Sequence, residues 1–274
     1  MHFHPSICFL FVALSFSAFL SCEQPNSKVS HKQTPTNLQP TDVLIEYIAH
    51  ASFKLSHKNH SILLDPFADH VWIGYDFPKG ITTDAIFSTH PHYDHDGGLF
   101  RGMHPYWEGK IPFNQNPGNY AVGDFKITGI EGRHCDPYGK EFGQTNTIWL
   151  IEVAGLRIAH WGDNAPITDS IAAALTDIDV LMVPIDDLNH ILKKEELAEV
   201  LRRVNPKIIV PMHYKIADLE KRPGQPKALG TIDKYFQDLQ NVTFLKGNTY
   251  VLNKTTLPEK QGYLVFQHSP KINN

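Results

Sequence analysis

Cysteine is scarce in this chain: three among 274 residues, Cys8, Cys22 and Cys135. A scaffold stapled by disulfides is thereby excluded, since at most one of the three would remain in a mature domain and it would have no mate. Positive charge is in no excess either, with 25 Lys and Arg against 29 Asp and Glu for a formal net charge of −4. With no Lys/Arg stripe interleaved with aromatics, nucleic acid is not an expected partner. No apolar run reaches the roughly twenty residues that a membrane-spanning helix needs, and no stretch reads as an amphipathic membrane helix. There is no internal repeat and no composition break that would announce a second catalytic domain.

What the chain does contain is concentrated. The run Ser88-Thr89-His90-Pro91-His92-Tyr93-Asp94-His95-Asp96-Gly97-Gly98 carries H-x-H-x-D-H directly after the apolar stretch Ala85-Ile86-Phe87. Neutral imidazole and carboxylate suit divalent zinc, manganese or iron. His90 and His92 lie two apart, so on an extended segment they project to one side and can grip one ion. Asp94 and His95 then turn toward a second.

Three later segments can complete two coordination shells. Ile127 to His134 reads as a strand running into a loop and ends on a histidine suited to join His90 and His92. Leu156 to Asp163 places a carboxylate just past a short apolar strand, with one oxygen for each ion. Lys207 to His213 is a buried-type β-run with a histidine at its carboxyl end, where sheet-based sites gather their chemistry. His213 would complete the second shell with Asp94 and His95. A lone histidine after a strand is more often structural; the ordered set is what argues for a metal centre.

With its ligand order, the chain resembles the metallo-β-lactamase fold superfamily over most of residues 42 to 266. Further segments are similar to the branch that includes ascorbate-phosphate lactonase and the N-acylphosphatidylethanolamine-hydrolysing phospholipase D. Tyr47 to Phe53 resembles its G-H-A-S-F, Ser61 to Pro66 its I-L-x-D-P, Gly143 to Asp163 its G-x-N-T-I and A-H-x-G-D, and Val210 to Tyr214 its P-M-H-Y. Ala49 stands where the branch has glycine, and Val183 to His190 stands where many relatives have a glycine-rich turn. The resemblance implies an α/β fold of four layers, an αβ/βα sandwich with metals at the rim between its two sheets.

Periodicity reaches the same class. Short apolar runs at 43–49, 61–65, 84–88, 125–130, 147–153, 178–183 and 207–211 read as strands, and Asp169 to Leu175, Lys194 to Val204 and Leu229 to Leu239 carry helical spacing. Alternation of the two implies layered α/β architecture.

The expected activity is metal-dependent hydrolysis. Two divalent ions, zinc with manganese or iron(II) as alternatives, would be held by His90, His92, His134 and by Asp94, His95, His213, with Asp163 bridging. A hydroxide bridging the ions would be the nucleophile and Asp94 would orient it. His190 is a candidate proton donor or substrate contact, and a helix-entry residue in the alternative. His50 and His160 would be substrate-facing or would brace the ligands, with a structural role favoured for His160. Cys135 adjoins His134 but, on an extended segment, should point away and pack. The loop from Arg101 to Tyr120, with His104, Tyr106 and Trp107, would shape specificity. Antibiotic β-lactamases of the superfamily typically lack the bridging carboxylate, so Asp163 points to a phosphodiester, lactone or ester from a small-molecule or lipid-derived substrate. A β-lactamase-type amide hydrolase and a non-catalytic metal-binding lipoprotein are the alternatives. Flavodiiron redox chemistry is disfavoured, because those relatives carry glutamate where this chain has His92.

The amino terminus reads as a leader. Ile7 to Leu20 is too short to span a membrane and reads as a secretory core, and Phe19-Leu20-Ser21-Cys22 is similar to a bacterial lipoprotein cleavage box. Cys22 would then carry a lipid, Glu23 to Thr41 would be a polar tether, and residues 42–274 would form the hydrolase domain in the cell envelope. Met1-His2-Phe3-His4 lacks the Lys or Arg that such leaders carry, so a soluble periplasmic protein is the alternative. The membrane is expected as a partner only through Cys22, and the sequence is silent on oligomeric state.

Overall fold

The computed structural model describes residues 38–68, 73–97, 111–135, 143–219 and 229–273. The leader, Cys8, Cys22, most of the tether, and His104, Tyr106 and Trp107 lie outside the described residues. Residues 38–41 enter the domain as a turn: Asp42 Oδ2 accepts from the Gln39 N–H at 2.7 Å, and Asn253 Nδ2 donates to the Thr41 hydroxyl at 2.9 Å.

Two mixed sheets enclose the core. The first has six strands in the order β13-β1-β2-β3-β4-β5, built from β1 (Val43–Ala49), β2 (Ser52–His57), β3 (His60–Leu64), β4 (Ala85–Phe87), β5 (Phe113–Asn114) and β13 (Thr249–Leu252). The second has eight in the order β12-β14-β11-β10-β9-β8-β7-β6: β6 (Gly118–Val122), β7 (Phe125–Arg133), β8 (Thr145–Val153), β9 (Leu156–His160), β10 (Val180–Pro184), β11 (Ile208–Met212), β12 (Val242–Phe244) and β14 (Gly262–Val265). β10 and β11 are apolar and buried at every position, the mark of parallel strands covered on both faces. β7 instead alternates over its first half, burying Phe125, Ile127 and Gly129. Large side chains fill the space between the sheets: Phe87 meets Trp149 edge-on at 5.0 Å, and Phe53 meets His160 at 6.1 Å.

Few helices complete the outer layers. α1 (Tyr93–Asp96) is one turn, and α2 (Asp169–Ala174) starts at Thr168, whose hydroxyl accepts the Ile171 N–H at 3.3 Å. α3 (Lys194–Val204) buries Leu197, Val200 and Val204 on one stripe, and Glu196 reaches back to the Lys193 N–H at 2.8 Å. The helix expected over Leu229 to Leu239 shrinks to α4 (Asp233–Phe236). The cause is Gly230, where a Cβ would lie 2.5 Å from the Leu188 nitrogen: the chain there is pressed onto a neighbouring loop before it can coil. In the loop expected at 101–120, the described end forms strands, and Tyr120 packs on Phe87 and Trp149 at 5.6 and 5.8 Å, covering core.

Strand direction decides where chemistry can collect. β1, β3 and β4 run one way in the first sheet, because two antiparallel pairings relate β1 to β3 and β3 is parallel to β4. β7, β9, β10 and β11 share a direction in the second sheet by the same logic. Their carboxyl ends meet across the sandwich, where the His213 N–H donates to the His50 carbonyl at 3.0 Å, and at the same rim the Thr147 N–H, near the amino end of the antiparallel β8, donates to the Thr89 carbonyl at 2.7 Å.

Candidate metal centre

Each of these strand ends delivers a polar residue to the same rim. β1 is followed by His50, β3 by Asp65, β4 by the loop carrying His90 and His92, β7 by His134, β9 by Asp163 and β11 by His213. The turns are sharp. His50, Asp65 and His213 adopt left-handed backbone at φ 56°, 40° and 60°, a region costly for side chains with a Cβ and tolerated best by His, Asp and Asn. Gly162 does the same at φ 59° just before Asp163.

The side chains form two adjoining groups able to hold metal. His90, His92 and His134 make one, and His50, Asp94, His95 and His213 the other, while Asp163 joins His90 and His95 between them. Asp163 Oδ2 lies 3.2 Å from His213 Nε2, 3.4 Å from His95 Nε2, 3.7 Å from His134 Nε2 and 4.0 Å from His90 Nε2. Two ligand atoms each about 2 Å from a tetrahedral ion stand roughly 3.3 Å apart, so these spacings fit donors that share ions. The buried His95 Nε2 and Asp163 Oδ1 also have no hydrogen-bond partner among the described residues, as donor atoms reserved for a cation would.

Electrostatics agree with that donor set at the carboxylates and at His90, His92 and His134, whereas at His95 and His213 the neighbouring carboxylates, Asp163 first, outweigh burial and raise the imidazoles. Burial pushes the Asp94 and Asp163 carboxyls up, but the surrounding imidazoles outweigh it, chiefly His95 and His50 for Asp94 and His213 and His95 for Asp163, and hold both well below the usual range. Burial drives His90 well below its ordinary value and lowers His92 and His134. Ionised carboxylates and neutral imidazoles are the protonation states that bind divalent ions.

Behind these donor atoms stands a brace whose members Asp65 and Asn146 lie in the I-L-x-D-P and G-x-N-T-I segments, to which the sequence reading gave no role. Asp65 is buried; its Oδ2 accepts from His95 Nδ1 at 2.7 Å and from the Thr89 hydroxyl at 2.8 Å, and its Oδ1 accepts the Thr89 N–H at 2.7 Å. With Nδ1 so engaged, His95 presents Nε2 to Asp163. Asn146 donates to the Trp161 carbonyl at 3.1 Å and accepts the Asp163 N–H at 3.1 Å, and Asn164 accepts the Arg133 N–H at 3.0 Å beside His134. The available signal was a polar residue in or just past an apolar strand, Asn146 in β8 and Asp65 after β3, where a buried polar group must be satisfied.

The remaining expected residues sort by exposure. His50 Nε2 is 3.1 Å from Asp94 Oδ2, fixing that carboxylate. His160 is fully buried, with Nε2 on the Ala51 carbonyl at 2.8 Å, and so braces the fold. The His190 ring lies parallel to His213, 5.8 Å away. Cys135 is buried, its Sγ 3.6 Å from His134 Nδ1. A cleft of about 780 Å³ opens beside His134, lined by Gly132, Arg133, Asn164, Pro166 and Ser170 among others.

A two-sheet sandwich whose parallel strand ends gather histidines and aspartates defines a metal-dependent hydrolase of the metallo-β-lactamase fold. Residues 44–213 match the beta-lactamase superfamily domain, and the chain belongs to that superfamily. It is similar to the UPF0173 metal-dependent hydrolase of Carboxydothermus hydrogenoformans, 26% identical over 223 residues, covering 69% of this chain and 95% of that one. A second UPF0173 relative, from Thermoplasma acidophilum, is 27% identical over 205 residues, covering 68% and 90%. Its fold is shared by a proposed Zn-dependent hydrolase of Thermotoga maritima, with a TM-score of 0.60 and 24% identity across 83% of this chain and 100% of that one.

Proposed function

We propose that this protein is a binuclear hydrolase, with one ion held by His90, His92 and His134, a second by Asp94, His95 and His213, and Asp163 shared by both. The observation that carries the reading is the Asp163 carboxylate oxygen, within 4.0 Å of imidazole nitrogens from both groups. A divalent pair there, zinc before manganese or iron, would lower the pKa of water toward neutrality and polarise a substrate oxygen. The protein's own part is positional. Asp94, oriented by His50, accepts the proton of the attacking water at its carboxylate, and Asp65 and Asn146 keep His95 and Asp163 in register.

A phosphodiester, lactone or ester is the substrate class we favour over a β-lactam, since on this reading Asp163 would bridge the ions. The test is hydrolysis of bis-p-nitrophenyl phosphate and a lactone panel before and after chelation. Turnover that disappears with chelator and returns with metal supports the reading; turnover indifferent to chelation overturns it. We also propose export to a bacterial envelope with lipid on Cys22, which a palmitate analogue should label in wild type and not in Cys22→Ala.

A further inference from the structure

Away from the metal rim, the two sheets end without closing on each other. β13 is the last strand of the first sheet and β12 the last of the second. Tyr250 of β13 pairs with the buried Ile45, so its ring points between the sheets. In the second sheet Tyr263 turns outward onto Tyr235 and Phe236 of α4, at 6.0 and 5.4 Å, and its neighbour Leu264 therefore faces inward. Thr243 of β12 is level with Leu264, and Ile208 of β11 is level with Gly262. Thr243 is short and Gly262 has no side chain, so the inner face is thinly filled where the sheets part. A cavity of about 440 Å³ remains there, floored by Ile208, Leu245 and Leu264 and bordered by Tyr250, Thr256 and Pro258.

The lining is divided by chemistry. Its floor is buried and apolar, and around it stand the Asn241 amide, the Thr243 and Tyr250 hydroxyls and, exposed at the mouth, the Lys260 ammonium. Among the described residues none of these four groups has a hydrogen-bond or ion-pair partner. All four can donate, one is a cation, and no Asp or Glu lines the cavity. A hydrocarbon body ending in an anion complements that set, whereas a cation would find no counter-charge. The volume is that of a small-molecule site. β11 keeps it apart from the metal centre: Ile208 borders the cavity and His213 follows the other end of the strand, about 16 Å away at roughly 3.3 Å per residue.

The geometry points to a second ligand site between the edge strands, one that takes a small soluble organic acid with its apolar body on Ile208, Leu245 and Leu264 and its anionic group toward Lys260. The site stands independently of the bound metal and of the hydrolase reading.

The test is fluorescence titration of the native protein with anilinonaphthalene sulfonate, metal-loaded and metal-free, with octanoate as competitor and the melting temperature read for each variant. Saturable binding at a single site per chain, displaced by octanoate and equal in the two metal states, is expected. Lys260→Glu, at an exposed position, should weaken the probe on the order of tenfold, and Lys260→Arg should not. Thr243→Trp fills the cavity and should abolish saturable binding with the melting temperature retained. Wild-type affinity in both Lys260→Glu and Thr243→Trp, no saturable binding to the native protein, or binding that requires metal would each overturn the site. Displacement of the probe as the chain dimerises at rising concentration would overturn it too, assigning the cavity to a second copy.

Discussion

His95 has two ring nitrogens, and what one can do depends on what holds the other. Asp65 Oδ2 holds Nδ1 at 2.7 Å and directs Nε2 toward Asp163, 3.4 Å away. Asp65→Asn keeps size and removes the anion, so metal affinity should fall by about 10- to 100-fold with the fold retained. Competition with a chromophoric chelator reads that change, and an affinity equal to wild type would show that His95 needs no such partner. The cluster of candidate donors His90, His92, Asp94 and His95 was legible in sequence because metal-binding chemistry restricts both residue type and spacing. Asp65 and Asn146 were legible only as members of the I-L-x-D-P and G-x-N-T-I segments, not in what they do. Their work is set by what lies across the fold, for Asn146 the backbone of Trp161 and Asp163, and no local spacing records it.

Among the elements, β10 and β11 were readable because burial on both faces leaves uninterrupted apolar runs, and α3 because Leu197, Val200 and Val204 repeat at helical spacing. Edge elements leave weaker traces. β12 and β13 are mostly half-exposed and show neither a run nor an alternation. The helical spacing of Leu229 to Leu239 misleads because packing against Asp187 and Leu188 occupies its first turn. Close packing also governs the end of β9. A Cβ on Gly162 would lie 2.5 Å from Asn146 Oδ1 and 2.6 Å from Thr89 Cβ, at a backbone of φ 59°. Gly162→Ala should therefore cost about 1–3 kcal/mol and displace Asp163. A lowered melting temperature together with reduced metal content is expected; an unchanged melting temperature would mean that the β9 turn relaxes freely.

For the molecule as a whole, a rim crowded with imidazoles makes stability depend on pH once metal is removed. Burial, aided by His213, pushes His50 down to about 4, and burial also lowers His90, His92, His134, His160 and His190. Unfolded histidines titrate near 6.5, so below that value the unfolded chain binds protons that the folded one refuses, and stability falls as pH drops toward 4. His95 and His213 run oppositely. Burial lowers them, but Asp163 and the other carboxylates outweigh it, so their contribution is present below about 6.5 and is lost as pH rises through their folded values. The depressed set is the larger, and the melting temperature of the metal-free protein should decline from pH 7 to pH 4. A flat or rising profile in calorimetry would contradict that balance.

The most direct test of a shared carboxylate between two imidazole groups is the number of divalent ions per chain, measured by elemental mass spectrometry on wild type and Asp163→Ala after reconstitution. Two equivalents in wild type and a loss of at least one in Asp163→Ala are predicted. No bound metal in wild type, or two equivalents retained without Asp163, would contradict the account.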